Sequence, residues 1–471
     1  MRSKVFYLVA MAAAGVICLA GCSSEDPDMT ITPVSGSDTY TINPAQDLEL
    51  QVKIEHFGTA TTSLAAASSD PEYTVTTGTL AEDGTGTVTV SAPKYILEAT
   101  TFTVTVTAAD EDSQKSASQV FNINAEASPN IVVTADNANS FVVKPGSLFG
   151  FKAIKGNSSE SAQFDQATLL WQDAKGMVSD VFTKGDVIYT ALTSGTEGNA
   201  VVAALKDGKV QWSWNLWVTD YDPAASSFNY TAGETTYTMM DRNLGALSSV
   251  SGSDKVNGNF YQWGRKDPFP GSTFNDTLKV SYNVAGDTTR FNYEPVKEAL
   301  NVENSIANPT THYSGVSGGN YSWVTADFTA VDKETVKDLW GGESGRKSLY
   351  DPCPTGWRVA PIEALGFYSA AGVTREKVYD GEAANKNFRG LNITLDGKVY
   401  FFPAQGEVPH GGSYCNGVGA NWPCGKVWSA TSDTMESKSY FRGSCTNLTP
   451  TSSSTSKVSF GYALPVRCVK E

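Results

Sequence analysis

Residues 100–108 read TTFTVTVTA, with Phe102, Val104 and Val106 set between threonines. Apolar residues at period two, in a run rich in β-branched side chains, mark a strand with one face buried and the other solvated. Working outward, TYTIN (39–43), DLELQVKI (47–54), EYTVTT (72–77), GTVTVSA (86–92) and QVFNINA (119–125) carry the same signature. Clusters of Gly, Asp, Ser and Pro part them at sandwich-like intervals. Residues 30–126 are therefore expected to fold as two packed antiparallel sheets.

In this respect the segment resembles the immunoglobulin-like modules found near the N-termini of Bacteroidetes surface proteins. It lacks a Cys-Trp-Cys pattern, so the resemblance is one of fold, and fold alone gives no function. A spacer role is expected. Glu126-Ala127-Ser128-Pro129 marks the next boundary, and strand-like runs resume with NIVVTA (130–135) and continue to VQWSWNLWVTDYD (210–222). Residues 127–235 are read as a second, β-rich domain. Trp212 and Trp214 alternate on one side of a strand, which is expected to be a core layer rather than an exposed platform. From residue 236 the texture changes to Gly-, Ser- and Asn-rich stretches with short helical patterns. Helices are expected within EPVKEALNVENS (294–305), DKETVKDLWGG (332–342) and PIEALGFYSAAG (361–372). Residues 236–471 thus read as an α+β domain in a mainly β, multidomain chain.

The first residues are an address. Arg2 and Lys4 precede an apolar run from Val5 to Ala20, shorter than the roughly 20 residues a membrane helix needs. The run closes on Leu19-Ala20-Gly21-Cys22, which resembles a bacterial lipobox. That resemblance implies a signal peptide over 1–21 and lipidation of Cys22. Ser23-Ser24-Glu25-Asp26-Pro27-Asp28 follows as an acidic tether (22–29), similar to the surface-export signal of Bacteroidetes lipoproteins. The expected location is the cell surface, anchored to the outer membrane. The whole chain carries a net charge of −15, and between Cys22 and Asn130 sixteen Asp and Glu face three Lys. Such acidity argues against nucleic acid or an anionic membrane surface as a partner.

An exported chain folds where cysteines tend to pair. Beyond Cys22 there are five: Cys353, Cys415, Cys424, Cys445 and Cys468. The number is odd, so at least one is left over. Cys353 is held between Pro352 and Pro354, before Gly356 and Trp357, while Cys468 lies in the β-type run LPVRCVK. A bond between them would tie the start of a helix-bearing half to the last strand. Cys415 and Cys424 could close the loop between them; Cys445 with either is the alternative.

Eight motifs in order, WSWNLWVTDYD, YTMMDRNLGA, NFYQWGRKDPFPG, SIANPTTHY, DLWGG, LYDPCPTGWRVAP, VWSATSD and GYALPVRCVKE, resemble one family across roughly 130–471. It is the fimbrillin-type surface proteins of Bacteroidetes that carry the Fibrobacter major paralogous domain. The resemblance implies a C-type-lectin-like fold, also similar to formylglycine-generating enzymes, in which a terminal cysteine commonly closes the domain. It further implies an adhesive or pilus-tip subunit. The chain departs from calcium-dependent lectins in lacking Glu-Pro-Asn, Gln-Pro-Asp and Trp-Asn-Asp, so no metal is expected. Polymerising fimbrillins mature after an N-terminal arginine, whereas here the first arginine after Cys22 is Arg242.

Three histidines (His56, His312 and His410) stand outside any catalytic motif, and the latter two are expected in loops. Asp241 and Asp267 are expected to pair with Arg242 and Arg265 rather than to act on a substrate. No catalytic residue and no cofactor is expected; an enzyme of formylglycine-generating type would need free thiols at Cys415 and Cys424. The stretch Gln405–Lys426, QGEVPHGGSYCNGVGANWPCGK, is the expected ligand loop, offering Tyr414, Asn416, Asn421 and Trp422. Pinning such a loop by a disulfide lowers the entropy lost on binding. The sequence is read as a lipid-anchored adhesin, at a pilus tip or as an accessory subunit, with pilus subunits or a surface glycan or protein as partner. A glycan-capture lipoprotein serving polysaccharide uptake is the alternative.

Overall fold

The computed structural model describes residues 27–471 apart from 59, 276, 298–299, 316–320, 326, 328–330, 371, 381–386, 411–424, 435–440 and 449–452. The chain divides into two compact units, Met1–Ser128 and Pro129–Glu471.

In the first unit the strands are β1 (Thr30–Pro33), β2 (Thr39–Ile42), β3 (Asp47–Glu55), β4 (Thr62–Ser68), β5 (Thr74–Thr77), β6 (Thr85–Ser91), β7 (Thr100–Asp110) and β8 (Lys115–Ala125). They form two four-stranded sheets, β1-β3-β6-β5 and β2-β8-β7-β4. With the first strand split between the sheets, this is the strand order of an immunoglobulin-like sandwich. The alternation read from the sequence is what fills its interior: Leu50, Val52, Val88, Val90, Val104, Val106, Phe121 and Ile123 are all fully buried. Each such side chain contributes roughly 1.5–3 kcal/mol by leaving water. The threonines between them face outward.

The second unit opens with the same arrangement. Its strands are β9 (Ile131–Thr134), β10 (Ser140–Val143), β11 (Leu148–Lys152), β12 (Gln166–Gln172), β13 (Val178–Lys184), β14 (Val187–Leu192), β15 (Gly198–Lys206) and β16 (Lys209–Val218). One sheet runs β9-β11-β14-β13 and the other begins β10-β16-β15-β12. Position for position this repeats the first sandwich, except that β9 lies parallel to β11 where β1 is antiparallel to β3. The short strand Ser281–Tyr282, from the C-terminal part, extends the second sheet beyond β12. Trp212 and Trp214 are buried in this sandwich's core.

The C-terminal part packs against the other face of β16, where it has a core of its own. Trp217 of β16 packs with Trp263, Trp323, Trp340, Trp357 and Trp428 in one cluster. Asn139 donates to the carbonyls of Leu349 and Asp351 at 2.8 and 2.9 Å, and Lys266 reaches back to Ser213. The expected boundary at 235/236 falls at a hairpin, since Phe228–Ala232 pairs with Thr235–Met239. That hairpin, Cys468–Lys470 and Trp357–Val359 make one four-stranded sheet, so the beginning and end of this part lie side by side.

Short helices occur where the sequence carries them, with one displacement. Lys333–Lys337 is helical, capped by the Asp332 carboxylate accepting from the Glu334 amide at 3.2 Å. Ala364–Ser369 forms a 3-10 helix. The helix found in this region is Val302–Ala307, while Asn292–Pro295 is instead a strand paired in parallel with Thr311–Ser314. Periodicity there loses to tertiary pairing.

Cys353 and Cys468 form a disulfide, their Cα atoms 6.1 Å apart, across 115 residues. Closing a loop of that length stabilises the folded state by roughly 4–5 kcal/mol in the chain-entropy model. All ten tryptophans lie between Trp171 and Trp428, so their fluorescence reports the second unit alone. Cys353→Ser with Cys468→Ser is expected to lower the stability seen by tryptophan fluorescence by about 2–5 kcal/mol. The sandwich at 30–125, which contains no cysteine, should keep its own transition. An unshifted tryptophan transition would contradict the structural role of the bond.

Candidate functional site

The charged residues flagged by the sequence are mostly committed to structure. The Asp241 carboxylate accepts from Arg242 Nε at 2.9 Å and Nη2 at 3.2 Å, and the guanidinium lies 3.9 Å from the Tyr221 ring centre. Asp267 departs from expectation. Its partner is Lys266, at 2.6 Å, and not Arg265. Ser213 Oγ donates to the same carboxylate oxygen at 2.6 Å. Arg265 points the other way, donating to the carbonyls of Thr311 (2.6 Å), Asn308 and Pro309 (both 3.0 Å) just past the helix Val302–Ala307. A cation at a helix C-terminus satisfies carbonyls that the helix cannot.

His312 is corrected as well. It stands on the strand Thr311–Ser314, not in a loop, and is 1% exposed. Its ring lies between Phe269 and Tyr293, with centroids 5.4 and 5.5 Å away. Among the described residues neither ring nitrogen has a hydrogen-bond partner. Burial, and then the positive charge of Arg265, lowers its pKa to about 3. It is a neutral core residue.

Of the remaining expectations, Cys22 and the loop residues Tyr414, Cys415, Asn416, Asn421, Trp422 and Cys424 lie outside the described residues. Cys445 is buried in the C-terminal core. Both ends of the expected ligand loop are described, however, and they meet at one place. A cleft of about 520 Å³ is bordered by Lys426, Tyr321, Arg442, Tyr462 and the strand residues 456–459. His410 contacts two of these residues. The His410 ring stacks on Tyr321 at 3.5 Å between centroids and meets Tyr462 edge-on at 5.3 Å.

Several local contacts hold this wall. Val408 and Ala463 exchange backbone hydrogen bonds of 2.9 Å, which sets His410 beside Tyr462. The Gly461 amide donates to the Tyr321 carbonyl at 2.6 Å. A Cβ at Gly461 would stand 2.3 Å from that oxygen and 3.3 Å from His410 Cβ, so only glycine lets the three segments close together. This gives a physical reason for the Gly-Tyr that opens GYALPVRC.

The cationic side has a different origin. Phe441–Leu448 pairs antiparallel with Ser453–Ser459, matching Arg442 with Ser459 and Ser444 with Lys457. Directly opposed residues share a face, so Arg442 and Lys457 project from the same side of the hairpin. Four consecutive residues of the second strand border the cleft, so it runs along that strand's outer edge rather than over one face. Among the described residues the strand pairs only with Phe441–Leu448. Lys426 is ion-paired with Glu407 at 2.6 Å. Burial lowers the pKa of His410 below its ordinary value, which keeps it neutral at neutral pH and leaves the charge to the Lys and Arg side chains.

No family model matches the chain, and no curated protein matches it. Among solved structures it is similar to the titin Ig tandem domains A164-A165 (11% identity, 41% of this chain and 95% of that one, TM-score 0.16). The D00-D0 domain of Intimin is similar at 12% identity, over 41% of this chain and 100% of that one, TM-score 0.16. Fibronectin(III)-like modules of Clostridium thermocellum CbhA match at 13% identity over 40% and 93%, TM-score 0.16. The fold assignment given above rests on strand order and register.

Proposed function

We propose that this protein is a surface adhesin, lipid-anchored through Cys22, that binds its ligand through the C-terminal part. The observation carrying this reading is the cleft bordered by Tyr321, Tyr462, Lys426, Arg442 and Lys457. Tyrosine walls with cations and hydroxyls at the margin are the composition of recognition surfaces. Lys426, at one end of the 405–426 stretch, borders the cleft. The two sandwiches are spacers in this reading, and the packing of the C-terminal part against β16 of the second gives the cleft a rigid support.

The test is made on cells. Cys22→Ser should abolish palmitate incorporation and exposure to added protease. Tyr462→Ala should leave surface exposure intact while reducing adhesion to a host-cell or bacterial layer about tenfold or more, since hot-spot aromatics commonly carry at least 1.4 kcal/mol. Adhesion unchanged in Tyr462→Ala sinks the cleft. Immunogold labelling tests the narrower form of the proposal, a pilus tip or accessory subunit. Label at filament ends supports it; label spread over the outer membrane favours a glycan-capture lipoprotein instead.

A further inference from the structure

We propose that the open edge of the second sandwich takes up an extended segment of another protein, one that carries apolar and basic side chains. This docking edge is separate from the cleft and goes beyond it. β9 and β10 each end a sheet, and among the described residues each pairs with one strand only. Both contribute to one cavity of about 330 Å³, so the two edges flank a single opening into the sandwich.

One side chain shows that the opening lacks a cover. Val132 stands opposite Phe149 and Thr134 opposite Phe151. Side chains paired across a sheet share a face, and both phenylalanines belong to the core, so Val132 points inward. It is nevertheless 49% exposed. In the first sandwich the inward residue of the corresponding strand is Ile31, opposite Ile54, and it is 7% exposed. Phe141, Phe149 and Trp357 line the same cavity as Val132, and all three are otherwise buried. Covering these four side chains would complete the apolar interior at this edge.

The shape and chemistry of the opening say what fits it. Among the described residues the outer side of β9 has no partner strand, so its outward amides and carbonyls can be satisfied by an added strand. Every second side chain of that strand would then enter the cavity, where the lining suits an aliphatic group. At the margin stand the carboxylates of Asp136 and Asp222, and none of the described residues lining the cavity is basic. Asp222 accepts from the amides of Ala224 and Ala225 at 2.9 and 3.3 Å, while Asp136 is exposed. A Lys or Arg beside the aliphatic anchor would meet these carboxylates with charge-assisted hydrogen bonds. A second copy of this chain fits less well, because each copy carries a net charge of −15.

The experiment is calorimetric titration of the full mature chain with short synthetic peptides. In the first, Val alternates with Lys; in the others, Val alternates with Glu, or Thr with Lys, or the first peptide is N-methylated at alternate residues. Hydrogen exchange of the amides at 131–134 is followed in parallel. The Val–Lys peptide should bind and slow exchange in β9, and the other three should bind at least about tenfold more weakly. Val132→Lys should weaken the Val–Lys peptide by about tenfold or more, whereas Val133→Lys, on the opposite face, should weaken it far less. Tyr462→Ala should bind it as wild type does, which keeps this site distinct from the cleft. Each variant is first checked for an unchanged tryptophan unfolding transition. Should Val132→Lys fail that check, Asp136→Lys at an exposed position takes its place. No binding at millimolar concentration, or binding without slowed exchange in β9, would overturn the docking edge. Equal losses from Val132→Lys and Val133→Lys, or equal binding of the Thr–Lys peptide, would overturn the apolar anchor. Equal binding of the Val–Glu peptide would overturn the basic partner. Concentration-dependent self-association abolished by Val132→Lys would make the occupant a second copy and overturn the proposal.

Discussion

Lys347→Met is expected to destabilise the Pro129–Glu471 unit by about 3–5 kcal/mol, the range for breaking one side of a buried ion pair. Lys347 is 6% exposed and Asp351 is fully buried. The ammonium donates to Asp351 Oδ1 at 3.2 Å, to the carbonyls of Cys353 (2.7 Å) and Pro354 (3.2 Å), and to that of Trp357. The carboxylate in turn accepts from the amides of Cys353 and Val359, both at 2.8 Å. One Lys and one Asp thus shape the loop that presents Cys353 to Cys468. Removing the Lys leaves a buried carboxylate with only its two amide donors and takes a donor from three carbonyls, of which Pro354 keeps the Trp357 amide at 3.0 Å. Urea unfolding followed by tryptophan fluorescence measures the loss. Adding Asp351→Asn to Lys347→Met should recover part of it, since the second change removes the stranded charge. A loss below about 1 kcal/mol would mean that water reaches the site and that the burial described here is wrong.

Acid is expected to act through His312. Its folded pKa of about 3 lies below the ordinary value of 6.5, so the unfolded chain takes up the proton first. The stability associated with a neutral His312 is complete above pH 6.5 and is lost as pH falls from there toward 3. At pH 4.5 the loss amounts to about 2–3 kcal/mol relative to pH 8. Arg265 and His410 both contribute repulsion to the charged form, after burial itself. His312→Phe removes the titration and suits the ring's aromatic neighbours. It also removes a buried N–H that has no partner among the described residues. The variant should therefore be more stable at neutral pH, by about 1–3 kcal/mol, and its advantage should widen as pH falls from 6.5 to 4.5. Stability measured at pH 8, 6.5 and 4.5 decides the matter. Parallel curves for wild type and variant would show that His312 takes up its proton in the folded state.

The strands of the first sandwich were legible because their burial is one-sided. Threonine and valine alternate wherever a sheet has one wet face, and β3, β6, β7 and the second half of β8 show it plainly. Strand β4, TSLAAAS, went unread because none of its side chains is fully buried, so its alternation carries little contrast. The Cys353–Cys468 bond was legible from the rigid turn around one cysteine and the strand around the other. In the C-terminal part the fold is held by long-range polar contacts, and there sequence reasoning failed for a local reason. Arg265, Lys266 and Asp267 are consecutive, and adjacency cannot say that the lysine turns toward the carboxylate while the arginine turns toward a helix end. The cleft was half legible. His410 and Lys426 flank a loop whose composition drew notice, but Tyr321, Arg442, Lys457 and Tyr462 come from separate segments. The Gly461-Tyr462 pair of GYALPVRC went unread, because its meaning lay in a backbone approach that no composition reveals.

The split first strand has a mechanical consequence. In the sandwich at 30–125, β2 lies parallel to β8 through the pairs Thr39–Asn122, Tyr40–Ile123, Thr41–Asn124 and Ile42–Ala125. The chain passes through β1, paired antiparallel with β3, before it reaches β2, and it leaves the sandwich from β8 at Ala125, the partner of Ile42. A pull on the two ends runs along both strands in opposite senses, so these backbone hydrogen bonds are loaded in shear and must fail together rather than one after another. β10 and β16 repeat the geometry in the second sandwich. A sandwich built this way yields little until its load threshold is passed.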